Sequence, residues 1–450
     1  MRNARWWVPV VVVALCTAGC SRSGSSKANG SGSTSSTARG SGLTAPTPSG
    51  VFGDAGQVCG PGSAKGATDQ GVSDTTIRVG TMADPGAQVQ PGLDQELFDT
   101  ADAFVGWCNA SGGINGRKIE LDRWDSKLTE VAARMIQACA SDFMLVGNGE
   151  AFDSAGVDQR LKCKLPEIPA YDVSTQAAGA PLTIQPIPAS GHQSAVGGAL
   201  RIVKQADPEA ARHLGQLSSQ LQSVKDAGDR DRAAAKALGY TSVYYDEAPI
   251  LVDDYRTYAQ NLQSKGVQVF MFENAPDNLA ALYRALAELR YVPKYGIYGA
   301  NMYDPKLVKN AGTALQGNVL IVTNAVPFEL ASTHPATKQY IDILAQYANG
   351  AQPKALGINS WSAWLLWAKS VKECGSNLTR ACVMDKAGAV TGWTAGGLHA
   401  PTHPGNSSQT ASPCFVFVRA TPSGFHVDEQ MTHPTRDIFN CDPKNIVNVP

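Results

Sequence analysis

The sequence predicts an α/β protein of two lobes, each built on a parallel sheet. Three observations carry this reading. Short β-rich runs alternate with helical stretches of ten or more residues, the length a crossover between parallel strands requires. The alternation stops at a proline-marked stretch, 181–188, and then restarts. The chain has 450 residues. Once a polar N-terminal segment is set aside, about 400 residues remain, too many for one ordinary domain and enough for two cores.

In the first unit, residues 76–81 form a β-rich run, and 95–107 place apolar side chains at helical spacing until Asn109 and Gly112 stop the pattern. Residues 118–124 alternate as a strand, 129–140 read as a helix with Thr129 as N-cap, and 143–146 and 168–173 read as two further strands. The second unit repeats the scheme with strand 213–217, helix 224–238, strand 241–245, helix 255–265, strand 267–272, helix 279–290, and strands 294–298 and 319–323. After Pro327, helices 337–347 and 360–372 are expected to pack back on the first lobe. Trp361, Trp364, Leu365 and Ala368 then serve as core at helical spacing. A Gly- and Pro-rich tail follows.

Arg2 and Arg5, the apolar run 6–16 and the small residues Thr17, Ala18 and Gly19 before Cys20 have the order of a secretory signal. The apolar run is shorter than the roughly 20 residues that span a bilayer, and no later segment is long and apolar enough. From Ser21 to Gly50 the chain is mostly Ser, Gly, Thr and Ala, too polar to offset the entropy of ordering it, and residues 20–71 are assigned to a tether. The net charge is −1, with signs interspersed, which argues against nucleic acid or an anionic membrane surface as partner.

Ten cysteines are present. Setting aside Cys16 and Cys20 leaves an even set that argues for disulfides in an exported chain. Such a set allows 105 connectivities; the expected pairs are Cys108–Cys139, Cys374–Cys382, Cys414–Cys441 and Cys59–Cys163. No Cys-x-x-Cys occurs, which argues against structural zinc.

The segment Asn109-Ala110-Ser111-Gly112-Gly113-Ile114-Asn115-Gly116-Arg117-Lys118, followed by Ile119, Leu121 and Asp125, resembles the "GGI-x-GR" turn of branched-chain amino acid ABC transporter substrate-binding proteins. It lies after the first strand and helix, as in that family. Gly239-Tyr240 and Gly266-Val267-Gln268-Val269 are similarly placed, and the resemblance covers about 72–418. Physically the turn is a fold marker: glycines end the helix in a left-handed cap and Asn115-Gly116 turns into the strand. Cys20 after Thr-Ala-Gly resembles a lipobox, with Thr17 where Leu is usual, which implies acylation and a lipid anchor on the outer face of the cytoplasmic membrane. The alternative is an ordinary signal peptide that leaves a free thiol at Cys20.

The resemblance implies the type I periplasmic binding protein fold: two Rossmann-like lobes, 72–187 with 327–392 and 188–326 with 393–450, joined by a three-segment hinge. The crossings are expected at 186–188, 323–327 and 392–401. It also implies a monomer that holds a small polar or amphipathic ligand, of amino-acid or amide type, for an ABC permease, without cofactor or catalysis. Ligands of open α/β sheets bind beyond the carboxyl ends of the strands. That places Asp84, Gln88, Asn148, Glu150, Asp172, Ser174 and Thr175 in the first lobe and Ser218, Glu273, Asn301 and Tyr303 in the second as candidates. Each has a plain alternative as a cap or solvated loop residue.

Two departures from the family's amino-acid binders stand out. Gly149 and Glu150 stand near their carboxylate-gripping serine, and Asn301 stands where a glutamate meets the ammonium; either Glu273 takes over that role from a neighbouring loop or the ligand carries no ammonium at all. Two other functions compete. A cell-envelope hydrolase finds no Gly-x-Ser-x-Gly or His-Glu-x-x-His, and His399 and His403 are separated by the helix-breaking Ala400-Pro401-Thr402. A sensor lipoprotein that signals through a protein partner keeps the same fold and is the alternative to transport.

Overall fold

A computed structural model describes residues 48–189, 194–249, 252, 254–406 and 411–449. The expected signal segment, Cys20 and most of the tether lie outside these residues. The first lobe consists of β1 (Thr76–Ala83), α1 (Gln95–Ala110), β2 (Lys118–Asp125), α2 (Val131–Ser141), β3 (Leu145–Val146) and β4 (Glu167–Ile168). Its strands are all parallel, in the order β2-β1-β3-β4. The second lobe adds β5 (Leu214–Ser219), α3 (Gln222–Ala237), β6 (Ser242–Ala248), α4 (Arg256–Ser264), β7 (Val269–Phe272), α5 (Pro276–Glu288), β8 (Tyr295–Tyr298) and β9 (Val319–Thr323).

The chain then returns to the first lobe through α6 (Pro335–Tyr347) and α7 (Ala355–Cys374), both packed on α1. It finishes in the second with the hairpin β10 (Val416–Thr421) and β11 (Gly424–Val427). The second sheet runs β11-β10-β9-β8-β7-β5-β6, with β10 and β11 antiparallel to their neighbours. This hairpin lies in what the sequence presents as a Gly/Pro-rich tail. Pro422 and Ser423 make its turn, and most of the tail's glycines and prolines lie outside the hairpin.

Three connections join the lobes and are hydrogen-bonded side by side. Gln185 and Gly405 exchange backbone bonds of 2.6 and 3.0 Å, Val326 N–H donates to the Leu398 carbonyl (2.8 Å), and Ala400 N–H donates to that of Asn324 (2.9 Å). The Thr402 hydroxyl ties the third to the first by donating to the Pro186 carbonyl (2.6 Å).

The "GGI-x-GR" turn is structural, as its chemistry implies. Gly113, at φ 81°, lies so close to the Arg117 carbonyl that a Cβ there would be 2.1 Å from its oxygen. Arg117 is 1% exposed, and its guanidinium donates to the carbonyls of Ser73 (2.9 Å), Gly375 (2.9 Å) and Gly66 (3.1 Å). Trp361, Trp364 and Trp367 of α7 are fully buried with Phe104 and Trp107 of α1 in the first-lobe core.

Several expectations are corrected. The disulfides are Cys59–Cys108, Cys139–Cys163, Cys374–Cys382 and Cys414–Cys441. Cys108–Cys139 does not form because α1 and α2 belong to different cores: α1 packs with α6 and α7, while α2 packs with Met82, Leu145 and Leu165. The first sheet stands between them. Cys108 instead meets Cys59 (Cα–Cα 5.3 Å), within the segment expected to be tether. There Phe52, Val58 and Cys59 are buried, and Gly60 N–H donates to the Gly113 carbonyl (2.6 Å), so the tether ends well before residue 71. Strand 168–173 shrinks to β4, because the Asp153 carboxylate takes the N–H groups of Val173 (2.7 Å) and Ser174 (2.9 Å) and holds the rest as a loop. The helix expected from Thr129 begins at Val131, without a side-chain cap.

Candidate functional site

The loops beyond β1, β3 and β4 of the first lobe meet those beyond β5, β7 and β8 of the second around a cavity of about 370 Å³. This is within the range of small-molecule sites. Much of its wall is apolar: Val89, Leu93, Leu128 and Val173 from one lobe, Leu221, Val224 and Pro276 from the other, and Leu356 at the start of α7.

The lobes touch around it. Arg230 donates to the Val173 carbonyl (2.9 Å), Thr175 N–H to Asp226 (2.9 Å), Gln90 to Asp277 (2.9 Å), and the Ser223 hydroxyl to the Ala151 carbonyl. Lys354 Nζ lies 3.0 Å from Glu96 at the start of α1 and 3.0 Å from Asp304 of the second lobe. All three ends of this bridge line the cavity.

Of the residues singled out from sequence, Glu150, Glu273 and Asn301 line the cavity. Asn301 donates to the Asn274 carbonyl (2.7 Å), which turns its amide toward the loop after β7. The others stand elsewhere. Asp84 is a buried strut, accepting from Leu128 N–H (2.6 Å), Ala151 N–H (2.8 Å) and the Ser126 hydroxyl. Ser174 caps the short helix Thr175–Ala178, and Thr175 makes the cross-lobe contact above. Asn148 donates to Glu167 (3.3 Å), Ser218 is buried beneath Gly228 of α3, and Gln88 is exposed. Asp172 is buried behind the cavity wall, and the Tyr303 hydroxyl is engaged with Glu329 and Phe328 N–H. The space a serine side chain would need at Gly149 is filled by the Tyr171 ring, 2.5 Å from where a Cβ would stand.

The architecture now has a counterpart. A family model described as "Periplasmic binding protein" matches residues 76–424. The chain belongs to the periplasmic binding protein family. No curated protein sequence matches it. Among solved structures, a fatty acid ABC transporter substrate-binding protein from Thermomonospora curvata aligns with TM-score 0.71 and 17% identity over 85% of this chain and 97% of its own. The leucine binding protein LivK of Thermotoga maritima aligns with TM-score 0.62 and 14% identity over 78% and 97%. The branched-chain amino acid binding protein LivJ of Streptococcus pneumoniae, solved with isoleucine, gives 0.63 and 14% over 79% and 99%. At such identities the likeness is one of fold. The family is that of periplasmic binding proteins, and the descriptions of these solved relatives name binding proteins, two of them of ABC transporters or amino acid transporters. Among the described residues no helix is long and apolar enough to cross a membrane.

This periplasmic binding protein has an acidic cavity. Burial, then the neighbouring carboxylates of Glu167, Asp84, Asp172 and Asp153, hold the Glu150 carboxyl well above the usual range. Burial, then Glu96 and Asp84, do the same to Asp94, and burial with Asp231 beside it pushes Glu273 up to about 8. Burial alone would lower the Lys354 ammonium, but Glu96 and Asp304 outweigh it and raise the pKa. Outside the cavity, burial and the neighbouring Asp122 push Asp142 up to about 7.

A carboxyl whose folded pKa exceeds its unfolded value binds extra protons in the folded state, so its contribution to stability falls as pH rises between the two values. For Asp142 that window runs from 3.8 to about 7, and for Glu273 from 4.5 to about 8. His399, pushed down to about 4 by burial, acts in the opposite sense, but below its unfolded value of 6.5. The melting temperature is therefore expected to be higher at pH 6.5 than at pH 8.5, by roughly 5 °C. Calorimetry at the two pH values checks this, and a melting temperature that is flat or higher at pH 8.5 contradicts it.

Sequence reasoning missed Asp94, Glu96, Tyr171 and Lys354. Asp94 and Glu96 read as ordinary acids at a helix start. Lys354 comes from the chain's return to the first lobe, outside any strand-end loop. A serine–histidine contact also escaped notice: Ser362 Oγ is 2.9 Å from His399 Nε2, and Trp393 Nε1 donates to the same oxygen (2.9 Å). His399 Nδ1 faces the Ala400 carbonyl (2.7 Å), so Nδ1 carries the proton and Nε2 accepts from Ser362. Ser362 is fully buried and His399 is 3% exposed, and neither lines the cavity. Both ring nitrogens are engaged, which gives the pair a packing role at the lobe junction.

Proposed function

We propose that this chain is an exported lipoprotein, anchored through acylated Cys20, that captures a small amphipathic solute between its lobes and delivers it to an ABC permease. The observation that carries the reading is the cavity itself, walled by both lobes and mostly apolar, with a few polar groups converging on it. A solute held there touches both lobes at once, so binding favours the closed form over an open one, and the closed form is what a permease would recognise. The hydrogen-bonded crossings at 185–186, 324–326 and 398–405 are placed to act as the hinge. The apolar wall suits a hydrocarbon body such as those of the fatty acid and isoleucine named in the relatives' descriptions. Gly149 beneath Tyr171, and Asn301 in place of glutamate, set this site apart from an amino-acid grip.

A thermal-shift screen of residues 48–450 against amino acids, amides, fatty acids, amines and sugars tests the binding. A ligand at 100 times its dissociation constant adds about 2.7 kcal/mol of stability. A shift confined to one chemical class supports capture and delivery. No shift with any class, in folded protein free of co-purified ligand, removes the solute-binding role and favours a sensor that works through a protein partner. Metabolic labelling with an alkyne fatty acid, lost in Cys20→Ser, tests the anchor; labelling that persists in the variant contradicts it.

A further inference from the structure

The chemical class of the solute is legible in the charges of the cavity. Among the described residues six carboxyl side chains line it (Asp94, Glu96, Glu150, Glu273, Asp277 and Asp304) against two ammonium groups, Lys306 and Lys354. Lys354 is already committed to Glu96 and Asp304. Glu150 is the least provided for: it is 3% exposed, and its Oε1 has no hydrogen-bond partner among the described residues.

The groups facing Glu150 are Asp84 after β1, Asp153 and Glu167 behind it, and Asp172 and Tyr171 after β4. Arg160 acts on the neighbouring Asp172 and is paired with Glu167 at 2.8 Å. A buried carboxyl among carboxylates with no cation of its own is costly to ionise and is relieved by a cation brought from outside.

Resting on the solute-binding reading above, we infer that the cavity takes an apolar-bodied organic cation, an amine or amidine, whose charged head donates to Glu150 while its body lies along Leu93, Leu128, Leu221 and Val224. A carboxylate head is turned away from the first lobe by the same charges. Burial among carboxylates favours the proton on Glu150, so an arriving ammonium displaces it: the head keeps its N–H bonds, Glu150 becomes a carboxylate, and one proton leaves to solvent. Affinity for the cation therefore rises with pH, by up to about tenfold per unit while Glu150 is protonated in the free protein.

The test is calorimetric titration with n-octylammonium, octanoate and octanamide at pH 6.5 and 8.0, in two buffers of different ionisation enthalpy, on wild type and Glu150→Gln. The inference expects octylammonium to bind best, more tightly at pH 8.0, with net proton release. Glu150→Gln is expected to lose at least tenfold in its affinity, the pH slope and the proton release while octanamide binding persists. Preferred binding of octanoate or octanamide by wild type overturns the cation while leaving solute capture intact. So does octylammonium binding without proton release, or unchanged in Glu150→Gln. Binding of none of the three overturns the cation as well, and the wider screen then decides separately whether solute capture survives.

Discussion

Lys354→Met is expected to open the lobes. The lysine ammonium lies between Glu96 and Asp304, one carboxylate from each lobe, and the three side chains are only 14%, 9% and 9% exposed. Methionine keeps the aliphatic stem packed but leaves two desolvated carboxyls facing each other. Removing one partner of a buried ion pair costs about 3–5 kcal/mol. Opening relieves that cost, because Glu96 and Asp304 then separate and regain water, so the penalty falls on the closed form. Apparent affinity for any solute that needs closure should drop by roughly a hundredfold or more. The deficit should shrink at acidic pH, because burial raises the Glu96 carboxyl above its ordinary range and favours its neutral form there. Titration calorimetry of the variant measures this; affinity within threefold of wild type means the bridge does not hold the lobes together.

Trp361→Ala carries the largest expected loss of stability. Trp361 is fully buried, with ring centroids 5.3 Å from Phe52, 5.2 Å from Phe104, 5.8 Å from Trp107 and 5.4 Å from Tyr340. It therefore joins α7 to α1, to α6 and to the N-terminal segment that Cys59 fastens to α1. Truncating a buried tryptophan costs about 3–5 kcal/mol, and the cavity left here is flanked by rings that cannot collapse far. Its indole nitrogen has no hydrogen-bond partner among the described residues, so no polar bond adds to the loss. Denaturant unfolding should show the first lobe melting ahead of the second, which shares none of these rings; a loss below 1 kcal/mol contradicts the role given to this cluster.

The main strands and helices were legible because each has its own period and because Gly112, Gly113 and Gly116 punctuate the chain where only positive φ closes the turn. What was not legible depends on which face of a sheet an element occupies. Cys108 and Cys139 are close in sequence, yet sit on helices that pack into different cores, and no local pattern reports that. Likewise Val51, Phe52 and Val58 are too few apolar residues among glycines to signal a segment that docks on α1. Within the site, the rule that ligands bind beyond strand ends led to Glu150, Glu273 and Asn301. It could not separate them from Asp84 and Ser174, which occupy similar loops but spend their oxygens on backbone N–H groups. Lys354 lies far along the chain, and only the return of α6 and α7 to the first lobe brings it to the cavity.

Hydrogen exchange of the wild-type protein with and without a saturating solute tests the central claim most directly. New protection is expected in both lobes at once, in loops 89–96, 150–151 and 171–173 of the first and 273–278 and 300–306 of the second, with the sheet cores unchanged. Protection confined to one lobe, or centred away from these loops, would contradict a solute held between them.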